Sequence, residues 1–213
     1  MITLYDYLPS QNGWKVRQLL RDLGLPYTTR LISIFEGEGQ TESYRAINPW
    51  GAVPALELAD GRVLSESNAI LFFLARGSEF LPQDAFPQAK VLQWLSFEAD
   101  YVQSTIGSLR YWALTRKLAT RPAEIVETKR QQALRALSIL DQHLADKTFV
   151  ASETYTIADI SLFAYGAHAG EAGIPIDGYP HFRRWIDRVA GRPDFLKERY
   201  LYDIDPASFQ ELP

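Results

Sequence analysis

The sequence predicts an α/β domain followed by an all-α helical-bundle domain, and three observations predict it. A strand, a helix and a second strand open the chain, which implies a parallel pair, and Asp60-Gly61 then adds an antiparallel hairpin. The stretch Gly77-Ser78-Glu79-Phe80-Leu81-Pro82-Gln83-Asp84-Ala85-Phe86-Pro87 carries turn formers and no steady period. Beyond it the pattern holds no convincing strand, and apolar residues recur at helical spacing. Residues 1–77 are therefore expected to form the first domain, 78–87 a linker and 88–213 the helical domain.

Each element has a local reason. Ile2 to Tyr5 is short and apolar and reads as a first strand. Pro9-Ser10-Gln11-Asn12-Gly13 makes a polar turn with two good cap residues. A helix follows, with Val16, Leu19, Leu20 and Leu23 on one face and Arg17, Arg21 and Asp22 on another; Gly24 and Pro26 stop it. Tyr27 to Ile34 reads as a second strand, residues 35–39 as a loop and Thr41 to Ile47 as a weak helix. After the hairpin, a helix from Ser67 to Arg76 closes the domain. In the second half a long helix carries Val91, Leu92, Leu95, Val102, Ile106 and Leu109. Pro122 suits the first turn of another, with Leu134, Leu137, Leu140 and Leu144 facing inward. Thr156-Ile157-Ala158-Asp159 is a capping box before an apolar run, and Tyr179-Pro180 and Arg192-Pro193 mark the starts of two last helices.

The totals exclude several classes. At 213 residues with 46% apolar and 13% aromatic content, the chain has ample material for a core. A net charge of −4 argues against nucleic acid as a partner, because phosphate binding wants a basic face. No apolar run approaches a membrane span, and the start enters a strand-like pattern without a signal peptide, so a cytoplasmic location is expected. There are no cysteines, which removes disulfides, thiolate zinc sites and a cysteine nucleophile; any thiol chemistry must take its sulfur from the ligand. His143, His168 and His181 show no metal-ligand spacing, so no metal is expected. Gly37-x-Gly39 lacks the further glycine and helix of a dinucleotide loop.

The chemistry concentrates between Asn48 and Ile70. In Asn48-Pro49-Trp50-Gly51-Ala52-Val53-Pro54, the second proline restricts Val53 to an extended conformation, so its N–H and C=O can serve a passing peptide. X-Pro is also the one bond that goes cis cheaply, and a cis form would turn the valine outward. Glu66-Ser67 falls where a helical pattern begins, so free N–H groups and the positive dipole end offer a carboxylate site with a negative charge beside it. That pairing suits a carboxylate and an ammonium on one carbon, attached to an extended peptide, and the γ-glutamyl end of glutathione has that shape. Taken singly, Pro54 reads as a turn proline and Ser67 as a helix cap; their order, joined by a hairpin, points to a ligand.

On these residues the chain resembles the cytosolic glutathione transferases, whose motifs include Asn-Pro-x-x-x-Val-Pro followed by Glu-Ser at a helix start. The resemblance implies a thioredoxin-like first domain, glutathione as co-substrate, a homodimer and conjugation of the thiolate to a hydrophobic electrophile held against the helical domain. Ser10-x-Asn12-x-x-Lys15-Val16 further resembles the serine-type branch, with its bacterial nu-like and plant phi-like relatives. In that reading Ser10 donates a hydrogen bond to the sulfur and Asn12 assists. Two other readings stand beside it: Ser10 or Asn12 as a plain helix cap, and Tyr7 as the activating hydroxyl of a tyrosine-type member.

The resemblance carries Val53, Pro54, Glu66 and Ser67 as glutathione contacts, with Gln40, or Arg45, for the glycyl carboxylate. Many relatives have Lys or Gln before the Val-Pro pair, and this chain has Ala52. Tyr101, Thr105, Ser108, Tyr111 and Trp112 form a hydroxyl- and aromatic-rich stripe that reads as a wall for the electrophile, joined by Tyr7 and Trp14 and by Tyr165 and His168; such a stripe also suits core packing. Asp100 reads as a solvated helix charge or a contact to a neighbouring subunit's ligand. Glutathione-dependent reduction of peroxides or disulfides is the close alternative, and a non-catalytic binding module the distant one. A maleylacetoacetate isomerase is disfavoured because its Ser-Ser-Cys signature is missing.

Overall fold

The computed structural model describes residues 1–213. Two units emerge from it: Met1–Arg76 together with Leu196–Pro213, and Gly77–Phe195. In the first, β1 (Ile2–Asp6) runs parallel to β2 (Tyr27–Leu31) and antiparallel to β3 (Ala55–Glu57), which pairs with β4 (Val63–Ser65), giving the order β2-β1-β3-β4. Ile2 aligns with Tyr27, Leu4 with Leu56 and Ala55 with Ser65. Side chains alternate across a strand, so β1 feeds two cores. Leu4 meets Val16 and Leu20 of α1 (Gln11–Asp22), Leu56, and Ile70 of α3 (Ser67–Leu74). Tyr5 meets Ile32, Ala55 and Tyr44, the last on the single turn α2 (Glu42–Arg45).

The caps explain the bounds. The Ser10 hydroxyl accepts from the Gly13 amide at 3.2 Å to start α1. Gly24, at φ +62°, ends it with its N–H on the Arg21 carbonyl. β2 stops at Leu31, short of the expected Ile34, because the chain curls there: the Ile34 N–H bonds the Ile32 carbonyl, and a 3₁₀ turn follows over Ile34–Glu36.

The second unit is helical throughout. α4 (Ala85–Phe97) begins inside the span expected as linker, with Pro87 in its first turn, where a missing N–H costs nothing. The long helix expected beyond it is not uniformly α. Glu98–Gly107 is a π-helical stretch before α5 (Ser108–Leu114). Hydroxyls along it bond back to carbonyls four residues earlier: Ser104 donates to Asp100, Thr105 to Tyr101 and Ser108 to Ser104, while the Lys129 ammonium also reaches the Ser104 carbonyl.

α6 (Ala123–His143), α7 (Ile157–Gly166) and α8 (Pro180–Ala190) complete the bundle. Buried Asp159 ties three of its segments together by accepting from the Thr156 amide and hydroxyl, the Val150 amide and the Trp185 indole. Burial pushes its carboxyl above the usual range, opposed by these donors. No helix is long and apolar enough to cross a membrane.

Two expectations need correction. No helix starts at Arg192-Pro193, and the tail does not stay with the helical unit: residues 196–213 pack on the first. The tail's backbone groups are taken by side chains of α1. The Leu196 amide donates to Gln18 and the Leu196 carbonyl accepts from the Trp14 indole, at 2.8 and 3.3 Å. Further on, Arg17 lies over the Tyr200 ring, and two 3₁₀ turns carry the chain through Tyr202–Ile204 and Pro206–Phe209.

Candidate functional site

The turn between β1 and α1 is held rigidly from beneath. Asp6, fully buried, pairs with Arg17 and accepts from the Tyr7 amide at 2.8 Å. Burial raises the Asp6 carboxyl, and Arg17 opposes the shift. Arg17 also donates to the Leu8 carbonyl at 3.1 Å, so one guanidinium fixes both ends of the Asp6–Leu8 segment. Gly13 is required there, because a Cβ would lie 1.8 Å from an Asp6 carboxylate oxygen.

A second clamp shapes the stretch before Val53. The Asn48 amide and the Tyr44 hydroxyl both donate to the Ala52 carbonyl, at 2.7 and 2.8 Å, and the Trp50 amide returns to the Asn48 side chain at 3.2 Å. Burial pushes the Tyr44 hydroxyl up to about 12, so it remains a donor. Gly39 and Gly51 bring two backbone segments into contact: a Cβ on Gly39 would lie 2.3 Å from the Gly51 carbonyl oxygen. The Val53-Pro54 bond is cis.

These segments enclose a cavity of about 300 Å³ lined by Tyr7, Ser10, Gln40, Val53, the 50–52 turn and, from the tail, Tyr202, Leu212 and Pro213. Ser10, Gln40 and Val53, all expected as glutathione contacts, thus share one cavity. The Ser10 oxygen accepts from Gly13, and no acceptor in the protein takes its hydrogen. Gln40 receives the Arg45 guanidinium on its carbonyl oxygen, which leaves its NH₂ group unspent. Arg45, the other candidate, is thereby bonded to Gln40.

Pro54, Glu66 and Ser67 lie along the adjoining hairpin. The β3–β4 ladder ends at the Ala55–Ser65 pair, and Pro54 and Glu66 are the residues that follow it on the two strands. Glu66 sits at φ +69°, a strained value for a residue with a side chain, just before the first turn of α3. Asn12, expected to assist Ser10 through its amide or backbone N–H, accepts from the Ser67 hydroxyl on its side-chain oxygen at 3.3 Å. Tyr7 lines the cavity, but its hydroxyl proton goes to the Asp205 carboxylate of the tail at 2.9 Å.

The residues expected as an electrophile wall each make contacts within their own unit. Trp14 is buried with its indole N–H on Leu196. In the helical unit, Thr105 and Ser108 turn their hydroxyls back onto backbone carbonyls. Tyr111 accepts from Lys117 at 3.1 Å, Trp112 lies beneath Arg121 and Lys129, and Tyr101, exposed, stacks on Phe97. Tyr165 packs against Gly107, where an added Cβ would lie 3.0 Å from its ring. His168 bonds Glu171, while His143 and His181 bond the Val150 carbonyl and Arg184.

Trp50, Ile34 and the tail residues line this cavity without having been anticipated. Trp50 could have been noticed as an apolar residue inside the Asn48–Pro54 motif; it is 66% exposed. The tail carries no local signal of where it packs.

A mixed sheet with a polar-edged cavity at the ends of its first strands, joined to a helical unit, defines a thioredoxin-like ligand-binding domain with a helical companion. Residues 9–76 match the family model for the glutathione S-transferase N-terminal domain, and 96–193 the model for the C-terminal domain. Glutathione S-transferase 3 of Zea mays is 30% identical over 216 residues, covering 96% of each chain. A solved glutathione S-transferase from Pseudomonas fluorescens superposes with a TM-score of 0.87 at 37% identity, covering 92% of this chain and 97% of its own. Another Pseudomonas fluorescens family member, solved with two glutathione bound, gives 0.79 at 28% identity, covering 91% and 89%. The chain belongs to the glutathione S-transferase family.

Proposed function

We propose that this chain binds glutathione in the cavity lined by Ser10, Gln40 and Val53 and transfers its thiolate to a hydrophobic electrophile. The observation that carries the reading is the unspent hydrogen of the Ser10 hydroxyl, held at the first turn of α1 in the wall of that cavity. A free thiol has a pKa of about 8.5 and is mostly protonated at neutral pH. A hydrogen bond to the thiolate, worth about 1.5–3 kcal/mol, lowers that value by roughly one to two units and raises the ionised fraction about tenfold. Ser10 donates this bond and is not itself the nucleophile. The Val53 backbone holds the cysteinyl residue, the unspent amide of Gln40 takes the glycyl carboxylate, and the first turn of α3 with Glu66 takes the γ-glutamyl end. Asn12 holds Ser67 in place for that contact.

The sulfur then attacks an electrophilic carbon, the leaving group departs with its bonding pair, and the thiol proton passes to solvent. The chain works as a cytoplasmic homodimer, as the family implies. Thermal shift with glutathione, followed by turnover of chlorodinitrobenzene, tests this: a ligand that binds only the folded state raises the melting temperature. No shift at millimolar glutathione overturns the reading.

A second activity is supported by the Pseudomonas fluorescens relative solved with two glutathione bound. Two glutathiones reduce a hydroperoxide to an alcohol and water, giving one glutathione disulfide, and no cysteine of the protein takes part. Turnover of a hydroperoxide without conjugation of chlorodinitrobenzene would select it.

A further inference from the structure

A second cavity adjoins the first. It occupies about 220 Å³ at the carboxyl ends of β1 and β2 and is roofed by tail residues 204–206. Tyr7 lines both cavities, and the two also divide neighbouring residues, Pro9 on one side and Ser10 on the other. Adjacent Cα atoms are about 3.8 Å apart, so the second cavity begins beside the turn whose Ser10, on the proposed reading, serves the sulfur.

Its walls are apolar: Leu8, Pro9, Leu31, Ile32, Ile204 and Pro206. Leu31 and Ile204 come from opposite ends of the chain and are 55% and 54% exposed, bare apolar surface that converges on one space. The polar members are Tyr7, Ser33 and two carboxylates, Glu36 and Asp205. Glu36 has no hydrogen-bond or ion-pair partner for its carboxylate in the protein. Asp205 spends its oxygens on the Tyr7 hydroxyl and the Ala207 amide, both at 2.9 Å, and meets no cation. The arginines of neighbouring elements are committed elsewhere, Arg30 to Glu38 and Arg17 to Asp6.

Resting on the reading of the first cavity as the glutathione site, we infer that this second cavity seats the electrophile and selects compact apolar molecules bearing a cationic head. The volume falls below the roughly 300–1,000 Å³ of sites for drug-sized ligands, which limits the occupant to about one substituted ring. The ring lies against the leucine, isoleucine and proline walls, and a planar cation such as an amidinium meets Glu36 and Asp205 through paired N–H donors. The same carboxylates repel an anionic electrophile.

The test is conjugation of two matched probes, para-(chloromethyl)benzamidine and para-(chloromethyl)benzenesulfonate. In both, the thiolate sulfur forms a bond to the benzylic carbon as the carbon–chlorine bond breaks and chloride leaves with the pair, so no oxidant is needed. Each kcat/KM is divided by the uncatalysed rate with glutathione. Exposed single pairs are worth little, so the expected preference for the cation is about tenfold from the two carboxylates together, shrinking with added salt. Glu36→Gln reduces it several-fold and Glu36→Lys reverses it, an inversion that loss of structure does not produce.

A ratio near one, or one that Glu36→Lys leaves unmoved, overturns the assignment while glutathione binding and chlorodinitrobenzene turnover leave the proposed function standing. If calorimetry shows no glutathione binding, the proposed function falls. Benzamidine titrated alone then decides the cavity: binding weakened by Glu36→Lys supports it, and no binding overturns it.

Discussion

Replacing Ser10 separates the two tasks its hydroxyl performs on the proposed reading. As an acceptor it caps α1 through the Gly13 amide at 3.2 Å, and loss of such a cap costs about 1 kcal/mol. In a chain of this size that lowers the melting temperature by about 2–4 °C. As a donor to the thiolate it contributes about 1.5–3 kcal/mol, or one to two pKa units at roughly 1.4 kcal/mol per unit. Ser10→Ala removes both and Ser10→Asp keeps only the cap, because aspartate caps as well as serine and, ionised, has no hydrogen to donate. Both variants are expected to shift the thiolate titration of bound glutathione, followed by its ultraviolet absorbance, one to two units upward. The pH profile of kcat/KM moves with it, so the loss of thiolate at neutral pH is about eight- to twenty-fivefold and recovers in alkali. Only Ser10→Ala also melts earlier. If Ser10→Ala melts earlier but leaves the thiol pKa where it was, Ser10 is a cap and nothing more.

Tyr7→Phe deletes the hydroxyl held by Asp205 and is expected to leave the thiol titration in place while speeding proteolysis within residues 200–213; an upward thiol shift would make Tyr7 the activator instead. Gly39→Ala forces a Cβ to 2.3 Å from the Gly51 carbonyl oxygen, so urea unfolding should show a loss of about 1–3 kcal/mol, together with weaker glutathione binding. Gln40→Ala removes a donor to a charged group and should raise the glutathione dissociation constant about tenfold or more by calorimetry, with kcat little changed. In the helical unit, burial alone would raise the Glu171 carboxyl, but the His168 hydrogen bond and the Arg110 charge outweigh it and hold the group at about 2, against an ordinary 4.5. A depressed carboxylate stabilises the fold above its unfolded value and loses that contribution as pH falls, so about 3 kcal/mol should disappear between pH 4.5 and 2. Glu171→Gln should flatten that acid limb in urea titrations at stepped pH.

What could be read from the sequence is what is local. The Thr156–Asp159 box, the Gly24 stop and the strand–helix–strand order depend on residues within a turn or two of each other, and the structure carries all three. The π-helical stretch escaped because periodicity assumes i→i+4 bonding. Val102 and Ile106 still read as buried when the hydrogen bonds beneath them have slipped to i→i+5. The stripe from Tyr101 to Trp112 was assembled on the α-helical period across that slip, and two of its hydroxyls are taken up by carbonyls there. The Arg192-Pro193 signal failed for a different reason. A proline permits a helix start without driving one, and the Leu196 amide found a better acceptor in Gln18, 178 residues earlier.

The same distance effect decides the chemistry. Tyr7 and Ser10 flank one proline at the mouth of one cavity, and each hydroxyl is a plausible partner for a thiolate. Nothing within ten residues separates them. The separation comes from Asp205, 198 residues along the chain, which takes the tyrosine proton and leaves the serine proton unspent. A hydroxyl has one hydrogen to give, so an acceptor on the tail is a choice made against Tyr7. A tail that takes the Tyr7 proton, lines one cavity through Tyr202 and its neighbour through Ile204 would, on the proposed reading, set both the sulfur's partner and the shape of what the sulfur meets.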